Sequence, residues 1–93
     1  MLQLEKKHLE MVRQILYKYP YEFYAYGSRS KGNATKFSDL DLCYWDSIPS
    51  SATRKIKEEF ENSNLPFRVE LVNWHRMTPE FRELIKKDLV KIT

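Results

Sequence analysis

The sequence predicts one α+β (α/β) domain, a small mixed three-stranded sheet covered by helices, and three observations carry that prediction. At 93 residues the chain buries roughly 60 to 65% of its unfolded surface, enough for one core and not two. Hydrophobic residues at 42%, with 14% aromatics, supply that core, while 31% charged residues speak against both a membrane protein and a disordered chain. Apolar periodicity then switches repeatedly between helical spacing and strand alternation. The resulting order is α-β-α(turn)-β-α-β-α over a single domain, residues 1–93, with no repeat, linker or low-complexity segment.

The first helix is read from Leu9, Val12, Leu16 and Tyr19, spaced three and four apart among Glu, Lys, Arg and Gln, and Pro20 is expected to end it. Glu22–Tyr26 is rich in aromatics and closes on Gly27-Ser28, as a short strand entering a turn does. Residues 27–38 are polar and contain both glycines of the chain; they read as a loop with one helical turn beginning at Ser28. Asp39–Trp45 alternates as a strand, with Leu40, Leu42 and Tyr44 on one face and Asp39, Asp41 and Cys43 on the other. Ala52, Ile56 and Phe60 mark a helix ending near Asn62-Ser63-Asn64. After Pro66, Phe67, Val69 and Leu71 alternate with Arg68, Glu70 and Val72 as a third strand. Thr78-Pro79 then provides an N-cap and a first-turn proline for a helix whose apolar face is Phe81, Leu84, Ile85 and Leu89.

No apolar run approaches the ~20 residues that span a bilayer, and the first residues lack the apolar stretch of a secretory signal. With a single cysteine, Cys43, the chain can form no internal disulfide, and a reducing, cytoplasmic location is expected. The net charge of +3 suits a polyanionic substrate or partner.

The chemistry concentrates in Gly27-Ser28, ten residues, and Asp39-Leu40-Asp41-Leu42. Carboxylates at i and i+2 of a strand share a face, roughly 6 to 7 Å apart at Cα, and can bind the same divalent cation or a pair of them. Without a cation they repel, and one would hold its proton. Their hard oxygens suit Mg²⁺. Glycine after a strand lets the backbone approach a phosphate, and a serine opening a helical turn aims its hydroxyl and the following N–H groups at an anion. Arg29, Lys31 and Lys36 add positive charge to a stretch, residues 27–37, that contains no acid. Phosphate donors beside a paired-carboxylate metal site point to nucleotidyl transfer.

Those residues, set between a first and a second strand, resemble the signature of the DNA polymerase β nucleotidyltransferase superfamily, and the brevity of the chain is similar to that of its minimal nucleotidyltransferases, the MNT proteins. The resemblance implies a nucleotidyltransferase fold in which Asp39 and Asp41 are the main Mg²⁺ ligands, with two ions in the active complex and ATP as substrate. Glu70 stands where the family places its third carboxylate, ligand and base toward the acceptor hydroxyl, and is one methylene longer than the aspartate common there. Gly27, Ser28 and Arg29 would contact the triphosphate. MNT proteins often accompany a helical HEPN protein in toxin–antitoxin pairs. The implied activity is therefore that of an antitoxin transferring AMP to a tyrosine of a HEPN-type RNase toxin, in a hetero-oligomer that supplies the acceptor platform.

Blander readings accompany each residue. Aspartates are ordinary at strand entrances, Ser28 could serve only as a helix cap, and Glu70 could simply pair with Arg68 on an exposed face. His8 and His75 have no partner at metal-ligand spacing. The aromatic series from Tyr17 to Tyr26 reads as core rather than a base-stacking surface, so direct nucleic-acid binding is not expected. Two other functions fit the motif: an inactive nucleotidyltransferase-like module that silences its partner by contact alone, and a subunit modifying a small molecule.

Overall fold

The computed structural model describes residues 2–93. In chain order it contains α1 (Lys6–Leu16), β1 (Tyr24–Tyr26), α2 (Ser28–Lys31), β2 (Leu40–Tyr44), α3 (Ser50–Glu61), β3 (Val69–Asn73), α4 (Pro79–Ile85) and β4 (Val90–Lys91), with 3-10 turns at Trp74–Arg76 and Lys86–Asp88. The sheet order is β3-β2-β1-β4. β1 runs antiparallel to β2 and β4, and β2 runs parallel to β3, so the sheet is mixed as expected. The parallel pair needs a crossover, which α3 provides.

Strand alternation divides the core into two layers. Leu40, Leu42 and Tyr44 of β2 join Phe23, Ala25 and Leu71 on one face, where Val12 and Leu16 of α1 and Ile56 and Phe60 of α3 pack on them. Tyr26 and Cys43 occupy the opposite face with Met77 and Ile85. Each fully buried Leu or Ile contributes roughly 1.5–3 kcal/mol. The second layer is the smaller one, with four buried residues, and Phe81 of α4 meets the Tyr26 ring edge-on at 6.0 Å.

The structure corrects the sequence reading at both ends of the chain. A fourth strand pairs with β1, Tyr24 opposite Lys91 and Ala25 opposite Val90, so the sheet is four-stranded; two residues are too few to display a period. The last helix ends at Ile85, so the expected stripe breaks up. Ile85 is buried, Phe81 and Leu84 are 39% and 55% exposed, and Leu89 lies beyond the helix. At the other end, α1 stops at Leu16, well before Pro20, and Tyr19 packs on the core from the following turn. The N-cap of α4 forms as expected, the Phe81 N–H donating to Thr78 Oγ1.

Candidate active site

Sheet register builds the site. Tyr26 lies opposite Asp41 and Asp41 opposite Glu70, so the three side chains form a row across β1, β2 and β3 on one face. Asp39 precedes β2 and is exposed; it lines a cleft of about 800 Å³ together with Glu70, Lys57 and Arg68.

Gly27 ends β1 at φ 83°, ψ −154°, a region open essentially to glycine alone. A Cβ at this position would lie 2.5 Å from Asp41 Oδ2. The Asp41 carboxylate is therefore seated against the glycine backbone, which joins the acid to the Gly-Ser turn. In α2 the N–H groups of Ser30 and Lys31 donate to the Gly27 carbonyl. Those of Ser28 and Arg29, first in the turn, have no partner within the helix.

Arg29 is only 4% exposed, and its guanidinium is already engaged. It donates to the carbonyls of Gln3 at 2.8 Å, Lys36 at 3.1 Å and Ser38 at 2.8 and 3.0 Å, and it lies over the Phe67 ring at 4.3 Å. The side chain thus fastens the loop from Lys36 to Ser38 and, through Ser38, fixes the chain entering Asp39. Burial pulls the guanidinium below its ordinary range, and the Asp39 charge opposes that shift. Lys31 and Lys36 are exposed.

Burial raises the Asp41 carboxyl above its ordinary value, and the charges of Asp39 and then Glu70 push it further. The Tyr26 phenol is pushed up to about 12, chiefly by burial and then by Asp41. Glu70 accepts from Arg68 Nη2 at 2.7 Å and so is turned toward that arginine. Among the described residues, no three His, Cys, Asp or Glu side chains are arranged to hold one ion. The donor set nonetheless fits a hard divalent cation, since Asp39 and Asp41 offer oxygens only and Asp41 carries an unrelieved electrostatic cost that a cation would remove.

The family model described as a nucleotidyltransferase domain matches residues 5–92. The chain belongs to the nucleotidyltransferase family. It is similar to a protein of Haemophilus influenzae named "probable protein adenylyltransferase MntA", 40% identical over 95 residues that cover 98% of this chain and 83% of that one. This agrees with the resemblance to minimal nucleotidyltransferases.

Within this nucleotidyltransferase the register brings together Asp41, Glu70 and Gly27, and Asp39 lines a cleft with Glu70. Sequence reasoning missed two residues. Tyr26 reads from the sequence as core alone, although its place beside Gly27 on a strand facing β2 is the available signal. Lys57 lines the cleft from α3, and a lysine on the polar side of a helix gives no such signal.

Proposed function

We propose that residues 1–93 form a minimal, cytoplasmic, Mg²⁺-dependent adenylyltransferase that moves AMP from ATP to a tyrosine hydroxyl of a partner protein, a HEPN-type RNase toxin that it neutralises. The observation that carries the reading is the seating of the Asp41 carboxylate against Gly27, which couples a metal-binding acid to a phosphate-binding turn. The family supports triphosphate and divalent-metal chemistry, and the name of the H. influenzae relative supports a protein as acceptor.

In this mechanism Asp39 and Asp41 would hold the metal, and Glu70, now paired with Arg68, would be its third ligand. When bound, Mg²⁺ would neutralise the triphosphate and draw electron density from its α-phosphorus. Gly27 leaves room for the phosphates, and the Ser28 hydroxyl and the N–H groups of Ser28 and Arg29 donate to their oxygens. The Arg29 side chain serves nucleotide binding by fixing the loop rather than by touching the phosphates. Glu70 takes the acceptor proton as the acceptor oxygen bonds to the α-phosphorus, and pyrophosphate departs with the electron pair of the broken P–O bond.

The Arg68–Glu70 ion pair favours a second reading, an inactive module that silences its partner by binding. Co-expression with the adjacent reading frame, followed by intact-mass measurement of that partner, separates the two. AMP additions that disappear in the Asp39→Asn/Asp41→Asn variant support transfer. A stable complex of unchanged mass, neutralised equally well by the variant, supports the binding module.

A further inference from the structure

The chain between Ser28 and Asp39 sets how far the phosphate-binding turn stands from the metal-binding acids, yet residues 32–39 contain neither helix nor strand. Two locally bonded pieces make up this loop. At its start the Gly32 and Asn33 N–H groups both donate to the Ser28 carbonyl, at 3.1 and 3.0 Å. At its end residues 35–38 close on themselves, the Ser38 N–H donating to the Thr35 carbonyl at 3.2 Å and the Thr35 N–H to Ser38 Oγ at 2.9 Å. Ala34 is the joint between the two pieces, and its N–H donates to Gln3 Oε1 at 2.8 Å.

Gln3 is itself fixed from outside the loop. Leu2 and Leu4 on either side of it are partly buried against the first core layer. Its N–H donates to the Arg29 carbonyl at 2.7 Å, and its carbonyl accepts from Arg29 Nη1 at 2.8 Å. That second bond also orients the guanidinium, whose other N–H groups hold the carbonyls of Lys36 and Ser38. Gln3 therefore meets the loop directly at its joint, and through Arg29 at the end that leads into Asp39.

We infer that Gln3 is a positioning residue for nucleotidyl transfer: its side-chain oxygen fixes Ala34, so that the turn from Gly27 to Arg29 and the carboxylate of Asp39 keep the spacing at which one Mg²⁺-bound ATP engages both. The inference rests on the reading above in which the turn binds phosphate and Asp39 binds the metal. The bond acts on the spacing of the two halves and on neither half alone. Its loss should leave the binding of metal-free ATP to the turn unchanged and reduce the extra affinity that Mg²⁺ supplies, because that extra affinity is the coupling between the halves. Only the oxygen of the Gln3 side chain enters the bond, so glutamate can replace glutamine. Methionine, of similar length, offers only a weakly accepting sulfur.

The test compares the unsubstituted full chain with Gln3→Met and Gln3→Glu. NMR-detected hydrogen exchange reads the bond itself: the Ala34 amide should be protected in the unsubstituted protein and in Gln3→Glu, and should exchange at least about threefold faster in Gln3→Met. Calorimetric titration with ATP, with and without Mg²⁺, reads the consequence. In Gln3→Met the gain in ATP affinity from Mg²⁺ should fall by about two- to tenfold, the range one net hydrogen bond covers, while metal-free affinity stays the same and Gln3→Glu retains the full gain. An undiminished gain in Gln3→Met would overturn the inference, as would an equal loss in Gln3→Glu. A parallel fall in metal-free affinity would also overturn it, since that is the mark of a merely structural role. If the unsubstituted protein gained nothing from Mg²⁺, the metal-binding reading would fail and the role of Gln3 with it, whereas a gain that Gln3→Met leaves intact removes the role of Gln3 alone.

Discussion

Replacing Gly27 by alanine should separate activity from stability. The backbone conformation at Gly27 costs a non-glycine residue about 1–3 kcal/mol. The new methyl would lie 2.5 Å from Asp41 Oδ2, about an ångström inside ordinary contact, and the carboxylate must give way. Gly32 is the internal control. It too has a positive φ, 87°, so alanine there costs about 1–2 kcal/mol, but a Cβ at Gly32 meets nothing within 4 Å. Both variants should therefore unfold earlier in urea by comparable amounts and still fold, since small domains have about 5–15 kcal/mol in hand. Only Gly27→Ala should lose transfer, by about 100-fold, the usual effect of misplacing a reacting group by about 1 Å. Pyrophosphate release with ATP, Mg²⁺ and acceptor, measured well below each melting temperature, gives the comparison. Equal activity losses in the two variants would refute the argument that Gly27 exists to seat Asp41.

Three further outcomes follow from the site. Because the folded-state pKa of Asp41 is raised above its ordinary 3.8, its ionisation opposes folding: the cost is absent at lower pH and grows as pH rises from there through the folded value. Asp41→Asn should thus flatten that part of the stability–pH curve, and Mg²⁺ should raise the melting temperature of the unsubstituted protein while leaving the variant unmoved. Arg29→Lys should lose about 2–4 kcal/mol in denaturant titration, since an ammonium cannot reach the carbonyls of Gln3, Lys36 and Ser38 together. The Cys43 thiol is fully buried and pushed up to about 12 by that burial, so alkylation at pH 8 should track global unfolding; rapid labelling of the native protein would contradict its packing in the second core layer.

The central strands and the acids were legible because their signals are local. Alternation placed Leu40 and Leu42 on one face and Asp41 on the other, and the glycine before Ser28 announced the turn. Interactions between distant segments were not legible. Arg29 reads as a phosphate contact among basic neighbours, and only the fold reveals the carbonyls that surround it. β4 is too short to carry a period and exists because β1 has an edge to fill. The stripe Phe81, Leu84, Ile85 and Leu89 was periodic, yet it breaks after Ile85, where the chain turns to reach that edge.

The most direct test of nucleotidyl transfer at Asp39 and Asp41 follows the phosphorus. The protein, Mg²⁺ and the co-expressed partner are incubated with ATP labelled at either the α- or the γ-phosphate. The α-label should appear on a tyrosine of the partner and the γ-label only in pyrophosphate, with neither retained on the partner by Asp41→Asn. Retention of the γ-label, or α-labelling that survives Asp41→Asn, would contradict the account.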